Sequence, residues 1–221
     1  MATDEGKRTS AGEPGQDTPP AAGREDDRFY NRLLDESITA VVGQAVKILA
    51  SRPSLLPFAA GTIISQKRAA SRRRRHEASG LQVPAVMIAS ITRRCNLSCK
   101  GCYMRTQHRE PGPEMTPAQL RSVIAQAGDL GISLLVLAGG EPLVRAGEIL
   151  ALAEEFPGII FGVITNGLLI DEGMAGEFAA RRNLVPIVSF EGSKGETDTR
   201  RGAGVFRRLM ETFSLLDRAG V

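Results

Sequence analysis

After Gly80 the chain alternates short apolar runs with segments of helical periodicity, an order that few folds accept. Four runs rich in β-branched and aliphatic residues, Ala85–Ile91, Leu134–Leu137, Ile159–Ile164 and Val185–Phe190, have the length of strands. The segments Pro117–Asp129, Ala146–Phe156, Asp171–Arg181 and Val205–Ala219 read as helices. A repeated strand–helix order builds a parallel sheet, because each helix carries the chain back across the sheet to start the next strand in the same direction. The predicted class is therefore α/β. Thr116 before Pro117 marks a helix start, with the hydroxyl as cap and the proline at the first helical position.

The residues least suited to a plain core fall at one place in this pattern. Cys95 follows the first strand, Gly139-Gly140-Glu141-Pro142 the second and Thr165-Asn166-Gly167 the third, while Ser189 with Glu191-Gly192 closes the fourth. All four groups lie at carboxyl ends of strands, the edge on which βα barrels build their sites. A single Gly-Gly or Asn-Gly is an ordinary turn. Four such groups on one edge predict a site.

The chain has three cysteines, all inside Cys95-Asn-Leu-Ser-Cys99-Lys-Gly-Cys102. An odd number packed this closely is no disulfide framework and suits a reducing cytoplasm. Intervals of four and three let one loop wrap three thiolates around a corner of a cubane iron–sulfur cluster, leaving one iron open for a ligand. Two other readings exist. Zinc would take the three sulfurs with His108 as fourth ligand, and Cys99 with Cys102 would form a dithiol pair that leaves Cys95 without a role.

Taken together, the cysteine spacing, the Gly139–Pro142 turn, the Thr165-Asn166-Gly167 turn and the stretch from Ser189 to Phe206 resemble the radical S-adenosylmethionine family. Within it they are most similar to the cofactor and peptide maturases, over residues 81–221. The resemblance implies a partial (β/α)6 TIM-like barrel, of which the first four βα units are present here. It also implies a 4Fe-4S cluster held by Cys95, Cys99 and Cys102, and S-adenosylmethionine at the open iron. Reductive cleavage would give a 5′-deoxyadenosyl radical that takes hydrogen from a peptide or small-molecule precursor, with flavodoxin or ferredoxin as the reducing partner.

The resemblance further implies that Gly139, Gly140, Glu141 and Pro142 hold the methionine amino group, while Asn166 and Ser189 face the ribose or carboxylate. Arg201, in Asp198-Thr-Arg-Arg201-Gly202, would pair with a carboxylate through its planar fork. Tyr103 is placed near the cofactor by its adjacency to Cys102. Two positions depart from the family pattern. Gly101 stands where an aromatic residue commonly precedes the third cysteine, and Glu191 stands where aspartate is common. The chain stops at Val221, where the fourth helix would hand over to a fifth strand, so an incomplete barrel is expected. Alternatives are radical modification of RNA or lipid, and a degenerate cluster-binding protein that acts with a partner subunit.

The first 80 residues lie outside the resemblance. Residues 1–28 have the composition of a disordered tail, and residues 29–80 read as a helical extension. Its first helix, Phe29–Ala50, has one greasy stripe, and Pro53 and Pro57 then break it. A second helix runs from Ala59 to Ser79 and contains Arg72-Arg73-Arg74-Arg75. The basic run reads as a solvated face or a helix end with cations at a carboxyl-terminal dipole. A membrane-surface or acidic-partner contact is the other reading, because Leu55–Ile64 is greasy and lies beside it. His76 reads as solvated. A net charge of +3 is too small to make nucleic acid the main partner. No apolar run reaches the ~20 residues needed to span a bilayer. The cysteine pattern predicts the cytoplasm, with peripheral membrane attachment as a variant.

Overall fold

The computed structural model describes residues 50–106 and 112–221. The expectations for residues 1–49, which include the tail and most of the first helix, and for His108 lie outside the described residues. Leu55–Val221 form one compact unit. It opens with helix α1 (Leu56–Ala78) and continues through β1 (Val86–Thr92), a single turn α2 (Tyr103–Thr106), α3 (Pro117–Leu130) and β2 (Leu134–Gly139). Next come α4 (Ala146–Glu155), β3 (Ile160–Thr165), α5 (Glu172–Ala180), β4 (Leu184–Val188), α6 (Lys194–Arg201) and α7 (Val205–Ala219). The four strands form one sheet in the order β1-β2-β3-β4, and every neighbouring pair is parallel. This is the α/β architecture that the alternation predicts. Helix α6 was not foreseen.

Strand alternation divides the sheet into two unlike faces. Leu135 and Leu137 of β2 and Phe161 and Val163 of β3 point to one side and are buried. There they meet Leu120 and Ile124 of α3, Ile149 of α4, Phe178 of α5 and Leu216 of α7. The other side carries Ile88, Ile164, Val185 and Ile187, all exposed, with Ile88 at 70%. In a wall of a βα barrel this is the inward face, which the helices do not cover.

Helix α3 starts as its sequence predicts. The Thr116 hydroxyl accepts from the Gln119 amide, and the Gln119 side chain accepts from the Thr116 amide in return. At its other end Gly131 is left-handed, with φ of 97°, and a Cβ there would come 2.6 Å from the Ala69 carbonyl of α1. Glycine therefore both ends α3 and lets α1 dock on it. The docking uses the basic run. Arg72 donates to the Gly128 carbonyl and Arg73 to the Gly131 carbonyl, so two cations of α1 cover the carboxyl end of α3. The helix end that these two cations serve is that of α3, not their own. Pro57 sits in the first turn of α1, where the missing N–H costs nothing.

Candidate active site

All four strand-end segments meet at the carboxyl edge of the sheet. The cysteine loop leaves β1 through an irregularity between Ser90 and Thr92 that brings Thr92 opposite Gly139. Two backbone bonds fix it there. The Gly140 amide donates to the Thr92 carbonyl and the Glu141 amide to the Arg94 carbonyl, each at 2.8 Å. Such closeness needs glycine: a Cβ on Gly139 would lie 2.2 Å from the Thr92 oxygen, and one on Gly140 would lie 2.3 Å from the Arg94 oxygen. Glycine here lets the turn approach the loop that carries the cysteines.

Glu114 braces the same segment. Its carboxylate accepts from the Thr92 hydroxyl at 2.9 Å and the Arg93 amide at 2.7 Å, and these bonds hold its pKa below the ordinary carboxylate range. Tyr103 and Glu114 both line a cleft at the end of β1, and Tyr103 is 55% exposed.

Glu141 is fully buried. One carboxylate oxygen accepts from the Leu143 amide and the Thr165 hydroxyl, the other from the Asn166 amide at 2.7 Å. Burial pushes its pKa up, and those three donors pull against that shift. The side chain assigned by resemblance to the methionine amino group is thus engaged with protein donors, and it ties the end of β2 to the end of β3. Pro142, also buried, opens the 3-10 turn that follows.

Asn166 relays the tie to the cysteines. Its side-chain amide donates to Asn96 at 2.7 Å and lies 3.8 Å from the Cys95 sulfur, while its oxygen accepts from the Leu168 amide. Leu97 inserts beside Leu168, Val205 and Leu209, which places the middle of the cysteine loop on a small apolar cluster of its own. Leu97 also turns its amide to the Cys95 sulfur at 3.4 Å. Burial raises the Cys95 pKa, and that amide opposes the shift.

The last anchor comes from α6. The Lys100 amide, between the second and third cysteines, donates to the Arg200 carbonyl at 2.7 Å. Ser193 caps α6, and its hydroxyl and Glu196 form a capping box. Arg201 does pair with a carboxylate, but with that of Glu191 in the turn after β4, at 2.6 Å. Arg200 grips the same group at 2.8 Å. Together the arginines hold Glu191 below its usual pKa. The longer side chain that departs from the family pattern thereby spans the gap to α6. Ser189 is half-buried at the end of β4, with its amide on the Thr165 carbonyl.

Sequence reasoning thus located the three cysteines, the Gly139–Pro142 turn, Asn166, Ser189 and Arg201 on one edge. It missed Thr92, Asn96, Leu97, Glu114 and Arg200, which hold the loop. None of the three cysteines is in a disulfide. Among the described residues no three His, Cys, Asp or Glu side chains are close enough to hold a single metal ion. Three free thiols stand on one braced loop, and two N–H groups point at the Cys95 sulfur.

The radical SAM superfamily profile matches residues 89–221, more than half of the chain. The chain belongs to the radical SAM superfamily. Curated relatives include pre-heme d1 synthase of Dinoroseobacter shibae, 31% identical over 62% of this chain and 34% of that protein. Mycofactocin maturase MftC of Mycobacterium ulcerans is 30% identical over 64% of this chain and 38% of its own length. The chain therefore spans a little over a third of the curated relatives it matches. Among solved structures, Streptococcus suis SuiB bound to its precursor peptide SuiA superposes with a TM-score of 0.54 at 20% identity, over 70% of this chain and 35% of SuiB. That likeness supports the partial radical SAM barrel. Membership of the radical SAM superfamily implies a 4Fe-4S cluster and S-adenosylmethionine. Among the described residues no helix is long and apolar enough to cross a membrane.

Proposed function

We propose that Cys95, Cys99 and Cys102 bind a 4Fe-4S cluster and that this chain is the cofactor-binding part of an enzyme acting on a peptide or small-molecule precursor. One observation carries the reading: the loop bearing the three cysteines is hydrogen-bonded to the turns after β2 and β3 and to the end of α6. A loop braced from three sides suits a ligand set that must keep its geometry while charge moves onto and off the metal. When bound at Cys95, Cys99 and Cys102, such a cluster would supply the electron for reductive cleavage of S-adenosylmethionine.

The protein's own part is to position and to exclude water. Backbone carbonyl oxygens of the Gly139–Pro142 turn would accept from the methionine amino group, with Glu141 holding that turn in place. Asn166 and Ser189 stand at the neighbouring strand ends for the ribose or carboxylate, and Tyr103 flanks the third cysteine. Arg201, gripping Glu191, is a positioning residue for the α6 anchor. The precursor-peptide complex of SuiB and the maturase relatives favour a peptide over RNA or lipid as the substrate class, and flavodoxin or ferredoxin fits the need for a reductant.

Anaerobic reconstitution tests the reading. It should load about four irons and four sulfides per chain, and the triple Cys→Ala variant should load none. Dithionite should then yield 5′-deoxyadenosine from S-adenosylmethionine. Zinc in place of iron, or loading unchanged by the triple variant, would overturn it.

A further inference from the structure

We propose that the outward face of α1 seats this protein on an anionic lipid surface, with the cofactor edge of the sheet turned away from it. The packed side of α1 is marked by Ala69, which is buried, by Arg73, and by Gln66, which exchanges bonds with Ser133. At 100° per residue, Leu56, Ile63, Ile64, Lys67, Arg74 and Arg75 fall on the opposite side. Leu56, Ile63 and Ile64 are 53%, 56% and 50% exposed. Aliphatic side chains this bare on a water-facing helix are a cost unless something covers them.

Charge indicates the cover. No carboxylate occurs between Glu36 and Glu77, so the whole length of α1 up to His76 is free of acid. Among the described residues, Lys67, Arg68, Arg74 and Arg75 are paired with no carboxylate. The polarity is divided along the helix. Its first half is apolar and its second half cationic. A helix so divided tilts on a bilayer, dipping Leu56, Ile63 and Ile64 into the acyl boundary while Lys67, Arg74 and Arg75 reach lipid phosphates. A nucleic acid would use the cations and gain nothing from the aliphatic half, and the outward face carries no ring on which a base could stack.

The placement gives an orientation. Helix α1 contacts Gly131 and Ser133, which directly precede β2, so it lies at the amino edge of the sheet. The cysteine loop lies at the carboxyl edge, a six-residue strand away, or roughly 20 Å. A protein seated by α1 keeps its site open to solvent.

Flotation of the full 221-residue chain with vesicles tests this. It should rise with phosphatidylcholine vesicles containing phosphatidylglycerol and stay behind with phosphatidylcholine alone. At ~1 kcal/mol per cation, Arg74→Gln with Arg75→Gln should weaken binding about thirty-fold. Ile63→Asp with Ile64→Asp should abolish flotation while leaving the thermal midpoint unchanged, since both side chains are solvent-facing. Wild-type chain that ignores the anionic vesicles would overturn the proposal. So would an Ile63→Asp/Ile64→Asp protein that floats normally. Binding of a single-stranded RNA that is tight and equal in both proteins, without vesicle binding, would assign the face to nucleic acid instead.

Discussion

The turn after β2 and the turn after β4 both present a carboxylate beside the cysteine loop, and they hold it by opposite means. Glu141 is fully buried, satisfied by two backbone amides and a hydroxyl, in a turn whose glycines touch backbone. Glu191 is half-buried and gripped by two arginines, next to Phe190, which is 43% exposed. The first turn is set by close packing and neutral donors, and tolerates almost no change. The second is set by charge, reaches further, and can yield to salt or pH. A site that must hold its metal loop fixed and still admit a substrate has use for one of each.

The sharpest test of that contrast is Gly140→Ala. The added carbon meets a backbone oxygen that has no other place to go, so we expect a loss of about 3 kcal/mol in denaturant unfolding together with reduced iron loading. A midpoint close to wild type would mean that the two turns are alike after all.

Glu141→Ala should cost roughly 2–4 kcal/mol, because three buried donors lose their acceptor. Glu141→Gln should cost less. Titration separates the two carboxylates. Because the folded pKa of Glu141 is raised, the folded chain keeps a proton that the unfolded chain releases near 4.5. Its contribution to stability therefore falls as pH rises from 4.5 through the folded value, and Glu141→Gln should remove that slope.

Glu191 has the reverse sign. Its folded pKa is lowered, so its stabilisation is present above 4.5 and disappears as pH drops through the folded value. Glu191→Gln should cost about 1 kcal/mol, fade in high salt and flatten the acid limb of the unfolding curve. Smallest is Arg200→Ala, expected within ~0.5 kcal/mol of wild type and with iron loading kept. Its side chain is 49% exposed, and it is the Arg200 carbonyl that receives the Lys100 amide. A large effect there would show that the charged grip, not the backbone bond, holds the second half of the loop.

What was legible in the sequence follows the range of the interactions. The cap at Thr116 works over three residues and is readable from Thr116-Pro117 alone. Helix α6 was missed because Lys194–Arg201 has no apolar stripe and buries only Thr197. The signal that could have found it was Ser193-Lys-Gly-Glu196, a capping box ahead of a polar segment. Asn96 gave no signal at all, since its partner Asn166 lies 70 residues away and an asparagine in a loop is ordinary. Nothing local in the sequence shows that Thr165 and Asn166, at the end of the next strand, come against the Glu141 carboxylate.

By itself, then, the sequence determined the alternation of four strands with helices, the edge on which the special residues gather, and the three thiols. Those depend on periodicity and spacing, which act between neighbours along the chain. Only the tertiary structure decided which side chains stay available to a ligand and which are consumed as struts. Donors and acceptors on separate strands are paired by the packing of the sheet, and that pairing turned Glu141 and Arg201 inward onto the protein.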